Sequence, residues 1–132
     1  MASFSNYLEN KVLNYLFNGA SFSLSTIYVG LFTAAPTDAG GGTEVTGNGY
    51  ARKAVTCNVT NFPTTTNGTI ANGVEVTFTT PTGNWGTVTH LGVFDAATAG
   101  NLLFWGPLVQ SRTITSGATV RINQNQLSMT LD

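Results

Sequence analysis

The feature that most constrains the chain is a change of hydrophobic period at Asn18-Gly19. Before it, Leu8, Val12 and Leu16 recur at i, i+4 and i+8, with Leu13 and Phe17 beside them. That stripe predicts one amphipathic helix over about 6–18, packed on a sheet or on a neighbouring subunit. Asn6 is the expected N-cap and Glu9, three residues on, completes a capping box. Gly19 supplies the left-handed stop. After it the period is 2. Val74, Val76 and Phe78 alternate, as do Ala118, Val120 and Ile122, and then Leu127, Met129 and Leu131. Ile27 to Phe32 is apolar almost throughout, as in a strand covered on both faces. One short helix followed by period-2 segments to the end predicts an all-β, mainly antiparallel fold with an N-terminal helix.

Turn chemistry divides the rest. Thr33 to Gly49 holds Pro36, Asp38 and five glycines, and reads as a long loop. Tyr50 to Cys57 and Gly86 to Asp95 read as strands, with Val88, His90, Gly92 and Phe94 expected on one face. Ala96 to Asn101 connects a hairpin, Leu102 to Gly106 returns, and Pro107 marks an edge or the strand's end. Seven or eight turn-punctuated strands predict a β-sandwich or jelly-roll-like barrel over about 26–132, within a single domain spanning 1–132. Composition agrees: charged residues are 8% of the chain, while Thr (22), Gly (15) and Asn (13) supply strand and turn formers.

Several function classes are excluded on these grounds. Five basic and six acidic residues, scattered, make no nucleic-acid footprint. Gly42 to Gly47 has the spacing of a phosphate loop, but Asn48 and Gly49 stand where Lys and Ser or Thr are required. Gly47 to Arg52 approaches a dinucleotide fingerprint, yet Arg52 replaces the third glycine and a strand follows instead of a helix. No nucleotide and no other cofactor is expected. One His, one Cys and six dispersed acids do not make a metal site. His90 reads as a packed or hydrogen-bonded residue, Cys57 as a small buried apolar one, and Trp85 and Trp105 as core. No Gly-x-Ser-x-Gly turn is present, and Glu44, Glu75 and Asp95 follow no glycosidase pattern. The N-terminus lacks the basic start and apolar run of a signal peptide, and no stretch is long enough to span a membrane.

From Asn84 onward "NWGTVTHLGVFDAATAGNLLFWGPL", together with "LENKVLNYLF", "IYVGLFTAAPTDAGGGTEV" and "GYARKAV", resembles a family of small bacteriophage virion proteins often labelled tail fibre proteins. The resemblance implies a non-enzymatic structural component of a phage particle, assembled in the host cytoplasm. A long host-reaching fibre usually shows heptads or repeats, and this chain has neither. Its length therefore favours a capsid decoration, or cement, protein that clamps neighbouring major capsid protein subunits, with a trimer as the natural oligomer. The alternative is a tail-fibre or tail-tip module for host adsorption, binding glycan through Trp85 or Trp105. The expected partner contacts are Phe4 and Tyr7 at the helix start, Asp38 and Glu44 in the glycine-rich loop, and Tyr50 and Arg52 just after it. That loop is expected to become ordered on a partner.

Overall fold

The apolar run Ile27 to Phe32 and the segments beginning at Gly86 and Leu102 become the three longest strands, while the three alternating segments become short ones. A computed structural model describes residues 3–131. In chain order these form β1 (Ser3–Phe4), α1 (Asn6–Phe17), β2 (Thr26–Ala34), β3 (Thr43–Glu44), β4 (Lys53–Thr56), β5 (Thr69–Ala71), β6 (Val76–Thr77), β7 (Gly86–Phe94), β8 (Leu102–Ile114), β9 (Arg121–Ile122) and β10 (Ser128–Thr130). The main sheet is centred on β8, β7 and β2, with β1 outside β8 and with β3 and β4 both against the far edge of β2. β5 pairs β10, and β6 pairs β9; every pairing is antiparallel. The fold is all-β with a single short helix, consistent with a sandwich.

Each face of the main sheet is buried. Ile27, Val29, Leu31, Leu91, Val93 and Leu103 meet Val76, Phe78, Trp85 and Leu127 in the larger core. On the opposite face Phe32, Phe94 and Leu102 form a smaller cluster, with Tyr28 and Trp105 beside them. Burial on both sides is why Ile27 to Phe32 shows no polar alternation. Gly30 faces Gly92 across the β2–β7 ladder. A Cβ on Gly92 would stand 2.7 Å from the Phe32 ring, and one on Gly30 would stand 2.7 Å from the Glu44 carboxylate. The two glycines leave room on this face for Phe32 and Phe94 to stack at 5.9 Å.

Four local expectations change. The N-cap is Ser5, whose Oγ accepts the Leu8 N–H at 3.1 Å, and Asn6 is the first helical residue. Asn6 has its own N–H bound to the Asp38 carbonyl at 2.9 Å, so the chain enters the helix one residue earlier. Val88 does not share a face with His90. A register shift between them sends Val88 into the large core and leaves His90, Gly92 and Phe94 on the other side. Pro107 does not end its strand: β8 continues to Ile114. The ladder runs from His90↔Pro107 directly to Val88↔Arg112, so the intervening residues of β8 bulge out and the missing N–H falls at the break.

The fourth change concerns the glycine-rich loop. It is ordered on the chain itself. Pro36 and Val45 are buried, the Val45 N–H reaches the Leu31 carbonyl at 2.9 Å, and β3 pairs with the end of β2.

Candidate functional site

The sequence candidates fall into two groups in space. Glu44, Tyr50 and Arg52 form one. β4 occupies the edge of β2 from Thr26 to Val29, and β3 occupies it from Phe32 to Ala34. The Tyr50 hydroxyl enters the gap between them, accepts the Leu31 N–H at 2.9 Å and donates to Glu44 Oε2 at 2.6 Å. Arg52 grips the same carboxylate as a fork, Nε to Oε2 at 2.9 Å and Nη2 to Oε1 at 2.8 Å. Its Nη1 donates to the carbonyls of Ala96 and Ala99 at 2.9 and 2.8 Å, and its guanidinium lies 3.5 Å from the centre of the Phe94 ring. Burial, and then the bond to Glu44, push the Tyr50 hydroxyl well above the ordinary tyrosine value. These three polar side chains spend their hydrogen bonds within the chain. They tie the β3–β4 crossing to the β7–β8 hairpin.

Phe4, Tyr7 and Asp38 form the second group. Phe4 meets Phe104 edge to face at 5.7 Å, where β1 lies along β8. Tyr7 packs against the large core, with Lys11 Nζ 5.3 Å from its ring centre. Asp38 Oδ1 accepts from Ser3 Oγ and Trp105 Nε1, both at 2.8 Å. The Ser3 bond and then the Trp105 bond hold the Asp38 carboxyl below its usual range. Between this corner and the β7–β8 hairpin lies an open groove of about 490 Å³.

The tryptophans are not surface platforms. Trp85 is buried, with its indole N–H on the Asn48 carbonyl at 2.9 Å, and Trp105 is half-buried and committed to Asp38. His90 is half-buried, shares a 2.8 Å hydrogen bond with Thr89 and leans on Trp105. Cys57 is half-buried, and that burial raises its thiol pKa.

The surface that sequence reasoning underweighted is the second half of α1. Its first turn packs on the body through Tyr7 and Leu8, but Leu13, Tyr15 and Leu16 are each more than half exposed, and Phe17 is 81% exposed. None of the twelve helical residues is buried. The signal was present: from Leu13 to Phe17 the helix is apolar on more than one stripe, whereas a helix docked on its own domain keeps a polar outer face. The packed and the exposed apolar parts of the helix are therefore consecutive turns.

No curated protein matches the chain. A helix with an uncovered apolar end, mounted on a closely tied antiparallel sheet, suits a subunit of a larger assembly, and the family described as "Podophage GP4 fiber I protein gp80" matches residues 3–130. The protein belongs to that family, one of phage fibre structural proteins.

Proposed function

We propose that the protein is a structural fibre subunit of a phage virion, and that it associates with further copies of itself through the apolar end of α1. The observation that carries the second part is the exposure of Leu13, Leu16 and Phe17, which lie at i, i+3 and i+4 on one face. Water contact at such a cluster is unfavourable by about 25 cal/mol per Å², and a copy of the same helix offers an apolar face of matching size. The helix carries only Glu9 and Lys11 as charges, so self-association brings few like charges together. One helix face is smaller than a standard stable interface of roughly 800 Å² per partner. Several such contacts acting together within an oligomer supply the rest by avidity.

The fibre reading takes precedence over capsid decoration because the family is described by a fibre and not by a head. Short length does not oppose it, since a fibre can gain reach by adding subunits. In this reading the role is mechanical, without substrate turnover. Tyr7 and Asp38 lie beside the open groove, while Glu44, Tyr50 and Arg52 keep the body rigid under load.

The test is to quantify the protein in purified particles and to localise it by immunogold labelling. A small copy number, with label on fibres, is expected. Hundreds of copies, with label over the head, would restore the decoration reading. Leu16→Ser/Phe17→Ser should leave the fold intact and shift sedimentation from oligomer to monomer. An unchanged sedimentation profile would remove α1 from the interface.

A further inference from the structure

We propose that Asn18-Gly19, at the free end of α1, is a self-modifying site, where the chain converts its own amide to an acid and thereby loosens α1 from another copy. The loosening rests on the self-association reading; the conversion does not.

The sequence holds four Asn-Gly pairs: Asn18-Gly19, Asn48-Gly49, Asn67-Gly68 and Asn72-Gly73. The same chemistry is open to each. The glycine nitrogen attacks the asparagine Cγ, and the new N–C bond closes a five-membered succinimide. The Cγ–Nδ2 bond breaks, and Nδ2 leaves as ammonia with the proton from the glycine nitrogen. Water then opens one of the two ring carbonyls. One opening gives aspartate, and the other routes the main chain through Cγ as isoaspartate. Glycine favours the step because no side chain crowds its nitrogen. The reacting groups are neighbours in the chain, so the step is intramolecular and needs only water.

What differs is how each pair is held. Asn72 is wholly buried, its side chain bonds Val74, Asn123 and Leu127, and the Gly73 N–H is bound to the Asn61 carbonyl at 2.7 Å. Asn48 donates Nδ2 to the Asn84 carbonyl at 2.9 Å, and its own carbonyl accepts the Thr82 N–H and the Trp85 indole, both at 2.9 Å. Asn67 is exposed, but its Oδ1 accepts from Thr65 Oγ1 and the Thr69 N–H at 3.1 and 3.2 Å. The Gly68 carbonyl accepts the Leu131 N–H at 2.9 Å. Each of these three pairs is thus tied to a distant part of the chain.

Asn18 is held only locally. Its N–H reaches the Asn14 carbonyl at 3.1 Å, its Nδ2 reaches Asn14 Oδ1 at 3.0 Å, and its Oδ1 accepts the Ala20 N–H at 3.1 Å. Gly19 has φ +78°, and nothing lies within 4 Å of where its Cβ would stand. At the Asn18 ψ of 6° the Gly19 nitrogen stands away from Cγ, so the ring closes only after rotation about that bond. At Asn18 the rotation opens one exposed helix end, which frays at low free energy. At Asn72 it requires the core to open.

The product has a definite effect. The last turn of α1 carries no basic residue, so a carboxylate at position 18 meets the negative end of the helix uncompensated. The Nδ2 donor to Asn14 is lost, and a charge stands next to Phe17, which is 81% exposed. Covering that face with another copy then removes water from the charge. The same contact hinders the rotation, so unassembled chains convert and assembled ones are protected.

The experiment incubates the full chain at mildly alkaline pH in heavy-oxygen water and reads its peptides by mass spectrometry. Label is expected at Asn18 first and at Asn67 more slowly, with Asn48 and Asn72 converting only as fast as the chain unfolds. Conversion of any of those three ahead of Asn18, or no label at Asn18, would overturn the site. Asn18→Gln keeps an amide but needs a larger ring, so it should abolish label there and leave sedimentation unchanged. Asn18→Asp is the direct product. It should raise the concentration at half-dissociation by about two- to fivefold, the worth of one charge at a helix end. If Asn18→Asp sediments as the wild type while Leu16→Ser/Phe17→Ser dissociates, the loosening is overturned. If both sediment as the wild type, the self-association reading has failed and the loosening with it. The order of labelling judges the site independently of either.

Discussion

The hydroxyl of Tyr50 stands in for a strand: at 2.9 Å it satisfies the Leu31 N–H where β4 has ended and β3 has not begun. Tyr50→Phe keeps the ring, which packs edge to face on Trp85, and removes only that oxygen. Leu31 then holds an unsatisfied N–H, and the expected loss is about 1–3 kcal/mol in chemical denaturation. The pH dependence has a definite sign. The folded hydroxyl pKa is raised, so its contribution is complete below the unfolded value of 10.0 and is lost as pH rises beyond it. The wild type should lose stability on the alkaline side more steeply than Tyr50→Phe, and parallel alkaline limbs would contradict this.

Among the described residues, Arg52 is the only side chain that joins Glu44, the Phe94 ring and the 96–99 turn. Arg52→Ala leaves a poorly solvated carboxylate without its partner, and a cost of about 3–5 kcal/mol is expected. Arg52→Lys restores the charge but neither the fork nor both turn carbonyls, so it should recover only part of that stability. Hydrogen exchange at Ala99 and Gly100 should quicken in both variants, and full recovery by lysine would show that charge alone matters.

Gly92→Ala drives a methyl group to 2.7 Å from Phe32 and 3.0 Å from Leu102 in a packed cluster. Overpacking of this kind costs about 1–3 kcal/mol. Phe32→Leu alone is also destabilising, but the double variant should be more stable than the sum of the two losses implies. Additive losses in urea titrations would mean that the Gly92 backbone, not the space above it, is what matters.

Asp38 gives the acid limb. Its folded pKa is lowered, so its contribution is present above the unfolded value of 3.8 and is lost as pH falls below it. Asp38→Asn can still accept from Ser3 and Trp105 but does not titrate. Its thermal midpoint should fall less between pH 5 and pH 2.5 than that of the wild type, as measured by circular dichroism.

Much of the fold was legible because the signals were local. The period break at Asn18-Gly19 marked the helix end, and Gly19 takes φ +78° there. β7 begins at Gly86 as expected, and Val76 and Phe78 are buried. What could not be read depended on distant partners. Ser5 became the cap because Asp38 holds the next N–H, and Val88 changed face because β8 carries extra residues opposite it. Asn72 was invisible for the same reason: it is wholly buried, and its side chain bonds Val74, Asn123 and Leu127. Of the partner-contact candidates, Asp38 and Glu44 lie in the glycine-rich stretch, Tyr50 and Arg52 just after it, and Phe4 and Tyr7 at the helix start. Three of them are instead bonded to one another across a gap in the sheet, a relationship that spacing along the chain does not encode.

The outward swelling of β8 after Pro107 has a further implication. Beyond Trp105, no described strand lies along the outer side of β8, and from Val109 to Thr113 this row of main-chain donors and acceptors lies on exposed residues. A proline without a donor, the kink that follows it and the cationic Arg112 spoil that row as a template for another chain. Proteins held side by side at the local concentrations of a particle are under constant risk of fusing sheet to sheet into amyloid-like ribbons. This irregular flank lets neighbours crowd together without zipping up.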